Sequence, residues 1–162
     1  MATEDFTLNL FYTSWKEYQD HIRMALAPLT PEQLTLRAAP GLRSIGELAM
    51  HIIGGRAGWF NGFLGEESAD MRALDARDVP DAPPLDAAEL VQALERSWEF
   101  MAGCLARWSP ADMRKTFEHT WRGDHYDLAR SWVVWHVLEH DLHHGGEISL
   151  TLGMHGLPAP DI

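Results

Sequence analysis

The sequence predicts an all-α fold: an antiparallel four-helix bundle with short accessory helices, in one domain spanning residues 1–162. Three observations predict it. Long stretches carry apolar residues three and four positions apart, the helical period. Capping residues stand just ahead of several of these stretches, often with a Glu or Gln three positions on. No internal repeat or low-complexity tract interrupts them.

In the first stretch Phe11, Trp15, Tyr18, Ile22 and Leu26 form one stripe, which ends before Pro28. Thr30, Pro31 and Gln33 then read as N-cap, first helical position and capping-box partner of a short helix. Ser44 and Glu47 make a second capping box, and Ile45, Leu48, Ile52, Trp59 and Phe63 continue one face behind it. Gly54, Gly55, Gly58, Gly62 and Gly65 interrupt that helix at about 1 kcal/mol each relative to alanine, so close packing or a kink is expected near Gly54–Gly55. Residues 65–84 are acidic, end in prolines and cross to the next helix, with a short helix predicted around Ser68–Leu74. Asp86 and Glu89 open the third long helix, whose stripe is Leu90, Leu94, Trp98, Met101, Leu105 and Trp108. Ser109-Pro110 starts another turn of helix, and "TFEHTWRGDHYDL" reads as irregular or hairpin-like around Arg122–Asp124. Asp127 is a candidate cap for the last helix, which runs to about Gly153.

Composition excludes several functions. With 46% hydrophobic and 23% charged residues, the chain belongs with folded rather than disordered proteins. No run approaches the roughly 18–20 apolar residues of a membrane span, and no secretory signal is visible. The net charge of −11 and the lack of a basic run argue against nucleic acid and against an anionic membrane as partners. Cys104 is the sole cysteine, which rules out an internal disulfide and suggests a reducing, cytoplasmic location.

The chemistry concentrates in "WHVLEHDLHHGGEI", residues 135–148, where His136, His140, His143, His144 and Glu147 share one helical sector. Histidines four apart can converge on a cation with bonds of about 2.0–2.1 Å. His136 and His144 are about 12 Å apart along the axis, too far for one ion. The feasible pairs are 136/140 and 140/144, with 140/143 less natural, and His140 belongs to every pair. Trp132, Val133, Trp135, Leu138 and Leu142 surround the cluster, which argues against a merely solvated face. A third ligand must come from another helix, and His51, between Leu48 and Ile52, is the best candidate. A di-iron bundle would need a second Glu-x-x-His helix, and "HDLHH" lacks the zincin pattern. No Gly-x-Ser-x-Gly, P-loop or dinucleotide fingerprint occurs. His21 and His155 read as surface residues. His119 and His125 read the same way, with the rim of a pocket as the alternative, and Cys104 reads as packing.

Three segments, "SIGELAMHIIGGRAGW", "HVLEHDLHHGGEI" and "LTLGMHGLP", resemble the DinB-like (DinB/YfiT) superfamily of small four-helix metalloproteins. The resemblance spans nearly the whole chain. It implies His51, His140 and His144 as ligands of a divalent metal (Zn, Ni, Fe or Mn), with His136 and His143 beside the site. Gly145 stands where relatives often carry a basic residue, which would alter the rim of the site. The resemblance further implies a stress-response setting, a homodimer, and a small-molecule substrate with a low-molecular-weight thiol as cosubstrate. The leading expectation is a metal-dependent thiol S-transferase in which Glu147 or His143 acts as general base; helix phase turns Asp141 away. A hydrolase using metal-bound water, and a non-catalytic metal- or ligand-binding protein, are the alternatives.

Overall fold

The computed structural model describes residues 2–80 and 82–160, with side chains from Asn9 onward. Four long helical segments dominate: α1 (Ala2–Leu26), α3 (Ile45–Ala57), α5 (Ala87–Arg107) and α7 (Arg130–Met154). Short helices α2 (Pro31–Leu34), α4 (Ala69–Asp75) and α6 (Pro110–Met113) sit in the connections. Helix α3 packs against both α5 and α7, and α1 packs against α5. No described helix is long and apolar enough to cross a membrane.

Local chemistry sets the helix starts. Thr30, Ser44, Asp86 and Ser109 each accept from the N3 backbone N–H, and the N3 side chain returns the bond. Ser68 caps α4 by accepting from the Met71 N–H. Arg37 adds a fork onto Glu47, which braces the start of α3.

The buried side chains form two clusters. One joins Ile22, Leu26, Ile45, Ile52, Ile53, Leu90, Leu94, Ile148 and Leu152. The other joins Trp15, Phe60, Trp98, Met101, Leu105, Val133 and Val137. Trp15 of α1 meets Trp98 of α5 edge to face at 5.5 Å between centroids. Most of the expected stripe of α1 is buried, but Phe11 is exposed.

The fold is not purely helical. Strands β1 (Thr116–Trp121) and β2 (Asp124–Ala129) pair antiparallel as a hairpin. Arg122 and Gly123 both have positive φ, 53° and 93°, the requirement of a tight two-residue hairpin loop. Asp127 lies in β2 opposite Glu118 and does not cap α7. The residue at that cap is Ala129, with no side-chain bond, and the Arg130 N–H instead donates to the Lys115 carbonyl at 2.8 Å.

Of the two expectations at Gly54–Gly55, the close packing holds, since a Cβ on either would come within 2.6 Å of Asp78 or His140, and the irregularity falls one turn later. Helix α3 stays regular to Ala57 and passes into a π-helical turn, Gly58–Phe63. A π turn inserts an extra residue and shifts the phase of every side chain beyond it. Phe60 and Leu64 are buried, and Trp59 and Phe63, expected on the buried face, are only half-buried.

Candidate metal centre and its cleft

His51 projects from α3, and His140 and His144 project from α7, one turn apart. One ring nitrogen from each lies within 4.8 Å of the other two. The His51 and His140 Nε2 atoms are 3.2 Å apart. Two nitrogens on one tetrahedral zinc stand about 3.3 Å apart, given bonds of about 2.0–2.1 Å.

Each flanking imidazole is held by a carboxylate. His51 Nδ1–H donates to Asp78 at 2.7 Å, and His144 Nδ1–H donates to Glu147 at 2.6 Å. That tautomer leaves Nε2 of both rings as a free lone pair, the arrangement usual for metal-ligating histidines. His140 has a buried Nδ1 with no partner. Burial, and then the neighbouring His144, His51 and His136 rings, push its pKa down to about 3. Burial also lowers His144, against the opposing pull of Glu147. Two of the three rings are thus kept neutral at ordinary pH, as ligation requires.

Glycines make the approach possible. A Cβ on Gly55 would lie 2.6 Å from His140 Cε1, and one on Gly54 would lie 2.4 Å from the Asp78 Cβ. Gly145 serves a different surface from the expected rim. It is buried, and a Cβ there would fall 2.3 Å from the Tyr18 hydroxyl oxygen on α1.

Behind the histidines a polar network crosses the core. Arg56 and Asp141 are both fully buried, and the Arg56 Nη2 donates to Asp141 at 2.8 Å. The Trp15 indole donates to the same carboxylate at 2.8 Å, and Arg56 Nη1 donates to the Gln19 side-chain oxygen Oε1. Burial pushes the Asp141 carboxyl up, while Arg56 and Trp15 favour its charged form. Arginine does not give up its proton in proteins, so Asp141 stands as its counter-charge. Arg56 follows Gly55 and Asp141 follows His140, so this pair ties together the two helices that carry the ligands.

An open cleft of about 310 Å³ adjoins the triad, lined by Gly54, Gly55, Gly58, Trp59, Phe63, Asp75, Asp78 and His119. His119 reaches it from β1 and packs on Phe63 and Trp59, 5.2 and 5.6 Å between centroids. His136 stacks on Trp132 at 4.9 Å, and its ring stands 6.4 Å from that of His140, outside the triad. His143 is exposed, its Nε2 3.8 Å from Glu147. His125 bonds Thr120 on the exposed hairpin, and His155 bonds the Arg37 carbonyl. Cys104 is buried in the second cluster, and burial pushes its thiol up.

The three histidines that the sequence singles out meet in the structure, and His119 lines the cleft, whereas Asp75, Asp78 and Arg56 stand out nowhere in the sequence. Gly54 and Gly55, where the sequence predicts close packing or a kink, mark where Asp78 and His140 come close. Nothing in the acidic run 65–84 distinguishes Asp78 from its neighbours.

Fold and site together define a helical protein with three inward histidines beside an open cleft. The family model described as the DinB superfamily matches residues 14–148, and the chain belongs to that superfamily. Among solved structures, a DinB-like protein from Bacillus cereus is similar at a TM-score of 0.73 and 21% identity, covering 94% of this chain and 95% of that one. A conserved protein from Enterococcus faecalis is similar at 0.71 and 14%, covering 90% and 96%. YfiT from Bacillus subtilis, described as a probable metal-dependent hydrolase with an unusual four-helix bundle topology, is similar at 0.68 and 14%, covering 93% and 88%. No protein of curated function matches the chain.

Proposed function

We propose that the chain is a metal-dependent enzyme whose site, His51, His140 and His144, serves the transfer of a low-molecular-weight thiol to an electrophilic small molecule. The observation that carries this reading is the convergence of three imidazoles, two of them oriented by carboxylates. When bound, a divalent cation supplies the positive charge that deprotonates a ligating thiol.

The chain's own residues supply the rest. Asp78 and Glu147 fix the tautomers of His51 and His144. The cleft positions the electrophile beside the three rings. Glu147 and His143, at the solvent edge of the triad, are the proposed route for the thiol proton. The thiol must come from outside, because the chain's single cysteine is buried away from the cleft.

A second reading keeps the site and makes water the nucleophile, with a pKa lowered to about 7 by the metal. The description of YfiT favours it. A panel of thiols, electrophiles and activated esters, tested on protein loaded in turn with Zn, Ni, Fe and Mn, separates the two. Saturable thiol consumption that is lost in His140→Ala supports transfer. Ester turnover without thiol supports hydrolysis. Stoichiometric metal binding with neither activity leaves a binding protein.

A further inference from the structure

We propose that the cleft beside the triad selects an amine-bearing or quaternary-ammonium substrate and disfavours carboxylate- and phosphate-bearing ones. This rests on the preceding reading only for which end of the substrate reacts.

The cleft joins two features that suit a cation. The first is its aromatic wall. Trp59 lies 5.2 Å from Phe63 and 5.6 Å from His119, and beyond the cleft lining it lies 4.9 Å from His136 and 6.0 Å from Trp132, measured between centroids. Three of these contacts are edge to face, so neighbouring rings turn in different directions, as the rings of a cation cage do. The second feature is charge. Asp75 and Asp78 line the same cleft, and no lysine or arginine lines it among the described residues. Arg77, between those aspartates in the chain, donates to the Pro83 carbonyl. Desolvation and the Asp78 carboxylate both hold the Asp75 carboxyl above its ordinary range, so a cation seated between them would relieve that repulsion. The net charge of −11 acts in the same sense at longer range. Asp78 already accepts from His51, which leaves Asp75 as the carboxylate free to face a ligand. A thiol or electrophile with an ammonium group would thus place that group against Trp59 and Asp75 and its reacting end toward His140.

The test is tryptophan fluorescence titration at about pH 8 with three probes of similar size: benzyltrimethylammonium, neutral benzyl alcohol and anionic phenylacetate. It is run on metal-free protein and repeated with zinc. The expected result in metal-free protein is at least about tenfold tighter binding of the cation than of either other probe. Asp75→Asn should weaken the cation about three- to tenfold and leave benzyl alcohol unchanged. Trp59→Leu should remove the cation preference, with circular dichroism confirming the fold. Equal affinities, tighter phenylacetate, or an Asp75→Asn variant that behaves like wild type would each overturn the proposal. Elemental analysis on the same samples keeps the two readings apart: cation preference without zinc uptake sinks the metal site and leaves the cleft assignment standing, and zinc uptake without cation preference does the reverse.

Discussion

An imidazole that ligates a cation needs one nitrogen free and the other held, and His51 and His144 both meet that description through Asp78 and Glu147. Removing such a carboxylate leaves the ligands in place and loosens their aim. Asp78→Asn and Glu147→Gln should each weaken metal binding about 10- to 100-fold, measured by competition with a chromophoric chelator. His136→Ala should leave affinity unchanged, because that ring stands outside the triad against Trp132 and Trp59. Gly55→Ala places a methyl 2.6 Å from His140 Cε1, which forces that ring to move, and it should lose metal as fully as His140→Ala does. Four-residue spacing made the histidines of α7 legible as candidate pairs, and the family resemblance supplied the choice of His140 and His144 with His51. Their carboxylate partners were not legible: Asp78 reaches His51 across 27 positions, through a connection whose path no periodicity records.

At the scale of elements, the capping boxes at Thr30, Ser44 and Asp86 were legible because each is a local exchange of two hydrogen bonds within four residues. The π turn was not legible, since a three- and four-residue spacing cannot show where one extra residue enters a turn. The packing around it is measurable. Phe60→Ala should cost about 3–5 kcal/mol in chemical denaturation, and Phe63→Ala clearly less, because only Phe60 is fully buried. Nothing in the sequence sets Arg56 apart from the other arginines. In the structure it is a buried cation, and Asp141 is its counter-charge. Arg56→Met or Asp141→Leu alone should cost about 3–5 kcal/mol, since each strands the other charge, and the double variant should recover much of that loss. The hairpin was only half legible: Arg122-Gly123 signals a tight turn, but the strands beside it are six residues each and largely exposed.

For the whole molecule, the neutral histidines make stability depend on pH. The unfolded chain takes up a proton on each imidazole near the ordinary value of about 6.5. Folded His140 resists until about 3, and His144 is lowered in the same direction. Between those values the unfolded state holds more protons, so this contribution to stability is full above about pH 6.5 and is lost as pH falls toward 3. The denaturation midpoint of metal-free protein should decline over that window, and less so in His140→Ala. Zinc at about 100 times its dissociation constant should raise stability by about 2.7 kcal/mol, and a chelator should reverse the gain.

The central claim is that one cation joins α3 to α7. Zinc-loaded crystals, with anomalous diffraction collected on both sides of the zinc edge, test it most directly. The account predicts one peak about 2.0–2.2 Å from a ring nitrogen of each of His51, His140 and His144. A peak seated instead among His143, His144 and Glu147, the other described group close enough to hold an ion, would contradict it.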